Sequence, residues 1–472
     1  MSEPKKVDRR KFIYAGLGAV ALIAIGAAAY VVMNPPVVTK TVPTTSVVTT
    51  TVPTTSPTTP AGVTEIHIFH HWWEPVGRQA FDNLRSKFEE LYNIKTKTTF
   101  YPWAEYRINV IRALAAGEAP DVIHNDGKLT VEWAEMNALE PLDDLLANHP
   151  EVAKNYYEGW QKWCSYKGKV YGLPSEWQGD YIYYRKSILE KAGIDPNKIN
   201  TWDDLLNAAI KLTKEGQWGL PLRAHKAALW KQFRWLLFTN GTNLLVEVET
   251  GKYRSTFDTP EVREAVQFWV DLVQKYKVAP SEIVGWGAEE IKTAFLTGAA
   301  VMTNMEQWFG TYCLKADPNF QDWDVIPCPA GPHGKKASST TVHNYQVTKA
   351  SKHKEEAFKF CAFITGPDWG GYRTVVDGTF TMTPEGNKKL MEGVIPYIYY
   401  NKERLTKFLD ILTKYGVPAD YPIPEFSQIV DGIITPTLQE TLLGQRTVNE
   451  ALNIIVQKTN ELLAGAGRLA KK

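Results

Sequence analysis

Lys5, Lys6, Arg9, Arg10 and Lys11 lead into the uncharged residues 12–33, and a tract of threonine, proline, serine and valine over residues 39–60 separates that run from the rest of the chain. At about 1.5 Å per helical residue the apolar run matches a bilayer core of roughly 30 Å. Positive charge stays on the cytoplasmic side, so everything after the run faces outward. Its length favours a retained anchor, while Ala27-Ala28-Ala29 offers the small residues of a signal-peptidase site. Arg9-Arg10-Lys11-Phe12-Ile13 reads either as a twin-arginine export signal or as an ordinary positive-inside cluster. No cysteine precedes Cys164, which excludes a lipid-modified cysteine after the signal. The 39–60 tract has too few large apolar side chains for a core. It is expected to be an extended, solvated stalk, with hydroxyls suited to O-glycosylation, or else a bare flexible spacer.

The body from Gly62 onward is long enough for two domains, and with 44% hydrophobic residues in the chain it can bury large cores. A net charge of +1, with acids and bases intermixed, leaves no electrostatic footprint for nucleic acid. Cys164, Cys313, Cys328 and Cys361 show neither CxxC spacing nor nearby histidines, so no zinc is expected on them. In an oxidising exterior Cys313 and Cys328 could close a short disulfide loop; the alternative is buried free thiols. His70-His71 reads as a hydrogen-bonding or packing pair, with no metal expected, because no acid or cysteine stands at short spacing. The 16 tryptophans and 22 tyrosines present flat apolar faces with a polar edge, a shape suited to sugar rings as well as to cores.

Residues 65–69 alternate as a strand, 78–92 repeat apolar residues at helical spacing, and 94–101 read as a second strand. A helix around 107–116 and a short buried strand at 121–123 follow. That order means a parallel sheet with helices on its faces, binding ligands beyond the carboxyl ends of its strands. The rule points at residues 70–77 and 125–128. Further strands are expected at 170–174, 181–184, 300–303, 324–327 and 344–347, with a loop at 304–309. Helices are expected after the capping boxes at Thr201 and Thr447 and over 260–276 and 288–297. No nucleophile elbow, HExxH, P-loop or dinucleotide fingerprint occurs.

Four stretches together resemble the family 1 extracellular solute-binding proteins, the maltose-binding-like receptors of ABC sugar importers. They are Ala116-Gly117-Glu118-Ala119-Pro120-Asp121-Val122; Gly172-Leu173-Pro174 with Tyr183-Tyr184-Arg185-Lys186 and Thr201-Trp202-Asp203-Asp204; Phe295-Leu296-Thr297-Gly298-Ala299-Ala300-Val301-Met302-Thr303 running into Trp308; and Leu443-Gly444-Gln445-Arg446-Thr447-Val448-Asn449-Glu450. The resemblance covers nearly the whole body. It implies an α/β, two-lobed periplasmic-binding-protein-like fold with three crossovers, near Gln178, Pro327 and Thr381. The anchor or signal would be residues 1–33 and the stalk 34–61. Residues 62–177 with 328–380 would form one lobe, and 178–327 with 381–472 the other.

The implied function is a monomeric receptor on the outer face of the membrane. It captures a mono- or oligosaccharide, performs no chemistry and delivers its cargo to an ABC permease. By position in the family pattern Trp308 is the sugar-stacking aromatic, and Trp72 and Trp73 are paired aromatics after the first strand. Glu74, Asn125 and Asp126 lie on the same rim, Trp177 and Asp180 flank the first crossover, Trp286 sits on a glycine-bounded loop and Tyr345 follows the second crossover. Ser427, Gln428 and Val430 stand where maltose binders carry an aromatic, a departure from maltodextrin specificity. A surface glycoside hydrolase or lyase with a carboxylate pair, and a peptide receptor on the same scaffold, are the competing readings.

Overall fold

The alternation at the start of the body becomes strand β1 (Glu65–His70), which pairs in parallel with β2 (Lys95–Phe100) and with β3 (Val122–Asp126). This is the first part of a computed structural model that describes residues 63–71, 75–226, 228–371, 378–393, 400–419 and 423–471. Helix α1 (Pro75–Tyr92) fills the first crossover and buries Phe81 and Phe88, the helically spaced residues of the sequence pattern. Helix α2 (Trp103–Ala116) fills the second and stops at Gly117, whose φ of 75° is the left-handed C-cap that glycine adopts without a Cβ penalty. Trp72, Trp73 and Glu74 lie outside the described residues, as do the anchor and the stalk.

Beyond α3 (Gly127–Glu135) the chain reaches β4 (Leu173–Tyr184), one continuous strand where sequence periodicity suggests two short ones. Its first half, from Leu173 to Gly179, pairs with β7 (Ser338–Val347), which in turn pairs with β3. Its second half, from Asp180 to Tyr184, pairs with β5 (Met302–Glu306), and Tyr181 to Tyr184 also pair with β6 (Asp324–Pro327). Short strands β8 (Phe380–Thr381) and β9 (Gly416–Pro418) join β4 and β7 and complete a nine-stranded sheet. A single strand is thereby shared by two bodies of structure.

Each body has its own core. Ile66, Phe81, Val122 and Phe360, with Tyr106 and Trp133 on the opposite face of the sheet, hold the first. The second is built on α4 (Trp202–Leu212), α5 (Leu229–Thr239), α6 (Pro260–Gln274), α7 (Ala288–Thr297), α8 (Trp308–Ala316) and the C-terminal α9 (Val448–Gly465). Both expected capping boxes are present, Thr201 with Asp204 and Thr447 with Glu450. Trp235, Trp269 and Leu205 centre one apolar cluster there, and Tyr183, Phe295 and Trp323 another. Trp133, Trp235, Trp269 and Trp323 are fully buried, so part of the tryptophan excess belongs to packing, where each large side chain contributes about 1.5–3 kcal/mol.

Three expectations are corrected. Residues 304–306 are strand and Trp308 opens a helix, where a loop was expected; Asn304 bonds Cys328 and Glu306 pairs with Arg223 inside the protein. Strand β7 begins at Ser338, because its Ser/Thr run pairs with β9 on one side and β4 on the other, and β-branched threonine suits such a strand. Pro327 pairs with Tyr181, and Trp202 donates its backbone N–H to the Ala330 carbonyl at 2.9 Å. The Cys313–Cys328 disulfide is not formed: all four cysteines are free and buried, and these two sit in different apolar clusters. Burial raises their thiols, that of Cys313 to about 12.

Gly179 marks the midpoint of β4. A Cβ there would stand 2.5 Å from both Leu412 Cδ1 and Ser338 Oγ, so a larger residue would have to push both side chains aside. Gly179→Ala is expected to cost about 1–3 kcal/mol, read as a lowered urea midpoint with an unchanged slope.

Candidate functional site

Successive strand residues point to opposite faces. Along the middle of β4, Trp177, Tyr181 and Tyr183 face the apolar clusters, whereas Glu176, Gln178 and Asp180 share the other face and are all buried. Their neighbours across the ladder are also polar: Thr341 lies opposite Gln178 and Glu306 opposite Asp180. The result is a buried polar seam that follows the shared strand from one body into the other. Such groups are costly to bury unless they are partnered.

The partners are specific. Gln178 Nε2 donates to Glu176 Oε2 at 3.2 Å. Arg234, from α5, places Nε and Nη2 each 3.4 Å from a different oxygen of Asp180. Glu306 accepts from Arg223 Nη2 at 2.8 Å and has Lys231 Nζ at 3.6 Å. Burial pushes the Asp180 carboxyl up to about 6 against the pull of Arg234, and the Glu306 charge adds to the rise. Burial also opposes ionisation of Glu306, but Arg223, then Lys231 and Arg234, outweigh it and hold that carboxyl down to about 2. With both acids ionised, three cations face two anions.

Beyond Glu306 the backbone of β5 leaves β4, and the Gln307 side chain takes over the pairing. Its Oε1 accepts from Gly179 N–H at 2.8 Å and its Nε2 donates to the Trp177 carbonyl at 2.8 Å. The Gln307 carbonyl accepts from both Tyr183 Oη and Tyr400 Oη. This fixes the residue immediately before Trp308. The Trp308 ring is half-buried, with the Arg223 guanidinium 5.5 Å from its centre and Tyr312 at 5.8 Å in an edge contact.

Of the other expected site residues, Trp177 is half-buried and packs against apolar clusters of both bodies, and Trp286 is half-buried ahead of α7. Asn125 and Asp126, expected on the rim, and Asp180 and Tyr345, expected beside the crossovers, are all fully buried. Asn125 bonds Gln346 at 3.2 Å, and Tyr345 Oη lies 3.1 Å from His70 Nε2. They shape the interior beneath the sheet edge. Arg223, Arg234, Glu306 and Gln307 were not expected from sequence; the unbroken polar alternation Glu176-Gln178-Asp180 was the available signal.

A cavity of about 550 Å³ lies between the bodies, with Trp163, Tyr166 and Lys167 from one and Asn243, Glu247 and Tyr253 from the other. Arg468 lines it and ties both sides, with Nη2 2.9 Å from Glu135 and Nε 3.1 Å from Glu425. Trp163 and Tyr166 sit beneath Lys162 and Lys167 ammonium groups at 4.2 and 5.0 Å, and no sequence pattern separated them from ordinary loop residues.

The family model of the bacterial extracellular solute-binding proteins matches residues 72–371, well over half of the chain. The chain belongs to this family. An uncharacterised ABC transporter extracellular-binding protein of Pyrococcus horikoshii is 28% identical over 65% of this chain and 69% of its own length. The arabinooligosaccharide-binding protein of Bacillus subtilis is 27% identical over 63% of this chain and 64% of its own length. Among solved structures, an ABC transporter solute-binding protein of Thermotoga lettingae bound with α-D-tagatose superimposes with a TM-score of 0.74 at 25% identity, covering 85% of this chain and all of that one. A Listeria monocytogenes ABC substrate-binding protein in complex with cycloalternan gives a TM-score of 0.73 at 23% identity, covering 85% of this chain and 99% of its own. The α/β architecture is therefore the two-lobed one of periplasmic sugar-binding proteins, and the two bodies sharing β4 are its lobes. As a member of a family of solute-binding proteins, the chain is a receptor and not an enzyme. Among the described residues no helix is long and apolar enough to cross a membrane.

Proposed function

We propose that this solute-binding protein captures a mono- or oligosaccharide between its lobes and delivers it to an ABC permease. The observation that carries the reading is the polar seam along one face of β4, with half-buried tryptophans beside it and both lobes meeting on it. Sugar recognition needs that combination: aromatic faces for C–H surfaces and fixed donors and acceptors for hydroxyls. The ligands named for the relatives, arabinooligosaccharide and tagatose, belong to the same chemical class. In this reading Trp308, Trp177 and Trp286 contact the ligand, Trp72, Trp73 and Glu74 supply the rim after β1, and Asp180, Asn125, Asp126 and Tyr345 support the floor. A ligand touching both lobes favours the closed arrangement by its differential affinity for it, and the permease reads that closure. Residues 12–33 would hold the monomeric receptor at the outer membrane face and residues 39–60 would space it from the lipid.

Trp308→Ala is expected to weaken binding at least tenfold if stacking there is worth about 1.4 kcal/mol. Titration followed by calorimetry checks this, and unchanged affinity would remove Trp308 from the site.

A further inference from the structure

The lobe built on β1 also gathers four histidines along its sheet. His70 ends β1 and His71 follows it, His124 lies in β3 and His343 in β7. His124 stacks on His70 with centroids 4.3 Å apart and on His71 at 4.6 Å, and His71 meets His343 edge-on at 5.3 Å. One nitrogen from each of His71, His124 and His343 falls within 4.8 Å of the others. A carboxylate stands beside two of them: Glu176 Oε1 is 3.3 Å from His124 Nε2, and Oε2 is 3.5 Å from His343 Nδ1.

We propose that His71, His124, His343 and Glu176 form a binding site for a divalent zinc-class metal ion. Ligands at the corners of a tetrahedron with metal bonds of roughly 2.0–2.1 Å lie about 3.3 Å apart, so the histidine triangle, now within 4.8 Å, would tighten on binding, while Glu176 already reaches two of the imidazoles through its two oxygens. Neutral imidazole with carboxylate is the donor set of zinc and its borderline neighbours, and is too nitrogen-rich for calcium or magnesium. One carboxylate offsets part of the charge, and buried Asp126, the ladder partner of His343, stands next in line. His124 and His343 are buried and His71 is partly exposed, which leaves a way in.

The four residues come from β3, β7, β4 and the position just after β1, so an ion would clip four strands of this lobe together just ahead of Gly179. His71 also immediately precedes Trp72, Trp73 and Glu74, so the ion would fix the root of the rim proposed to meet the sugar. The site does not depend on the sugar reading, since its ligands stand whatever the cleft binds.

The test uses the body from Thr59 onward, a compact unit in its own right, without an affinity tag and stripped with a chelator. Zinc chloride is titrated into it and into His71→Asn and His343→Asn, with thermal melts in chelator to verify folding. One zinc per chain is expected, with a raised melting temperature. Each variant should bind more weakly by over about 100-fold, beyond what loss of an outer partner costs. No saturable binding at micromolar zinc, or full affinity retained in both variants, overturns the site. If a variant does not fold, cobalt(II) in the unaltered protein decides. Intense tetrahedral visible bands support the site, and weak octahedral bands overturn it.

Discussion

Arg234→Met should be the most damaging single change in the polar seam, lowering stability by about 3–5 kcal/mol near neutral pH. Methionine keeps much of the packing of the arginine stem but strips Asp180 of the cation that reaches both its oxygens, and Asp180 has no exposed surface. The deficit should depend on pH. Because burial raises the folded-state value of Asp180 from 3.8 to about 6, the folded form holds that proton more tightly than the unfolded chain. Its contribution to stability is complete below the unfolded value and is lost as pH rises through about 6. Glu306 works in the opposite sense. Held down to about 2, it contributes above its ordinary 4.5 and loses that contribution as pH falls towards 2. The variant should therefore approach the wild type on acidification from neutral towards pH 4.5, as Asp180 protonates. Asp180→Asn in the same background should recover much of the loss. Chemical denaturation of the two single variants and the double variant, at neutral pH and near pH 4.5, measures both effects; a pH-independent deficit would show that the Asp180 charge is not its cause.

Gln307→Leu is the second large effect expected. Leucine fills a similar volume but leaves the Gly179 N–H and the Trp177 carbonyl inside the protein without the amide that pairs them. Two buried backbone groups stranded at roughly 1–3 kcal/mol each put the loss at about 2–6 kcal/mol. The change also frees the backbone just before Trp308, so sugar affinity should fall along with stability. Gln307→Glu restores the acceptor for Gly179 and not the donor for Trp177, and should fall between the two. Equal stability of Gln307→Leu and the wild type would mean that this side chain does not hold the lobes' shared strand.

Much of this architecture was legible before any coordinates. The β1–α1–β2–α2–β3 order followed from apolar spacing, because those elements bury one regular face against one sheet. The Ala-Gly turn at Gly117 and the capping boxes at Thr201 and Thr447 were legible because their geometry is local. Less was legible in β4. Its polar residues alternate with aromatics, which looks like two strands and a turn until the pairing with β5 and β7 shows one strand with both edges occupied. The Ser/Thr run at 338–341 and the 304–307 segment misled for the same reason: their burial is set by partners far away in sequence. The site shows the same division. Trp308 was singled out by its place in the family pattern and Trp177 by its position beside the first crossover, whereas Arg223 and Arg234 are ordinary surface types whose pairing depends on acids 83 and 54 residues away. The histidine cluster was missed because its members come from three strands with no short spacing between them.

The central claim, a sugar receptor closing on the seam of β4, is tested most directly by following tryptophan fluorescence and melting temperature of the body from Thr59 against mono-, di- and oligosaccharides, with peptides as controls. The expected result is a saturable shift with one sugar or one oligosaccharide series, and recovery of that sugar intact. No response to any sugar together with a saturable response to peptides would contradict it, leaving the two-lobed fold in place and assigning the aromatic residues around Trp308 to packing.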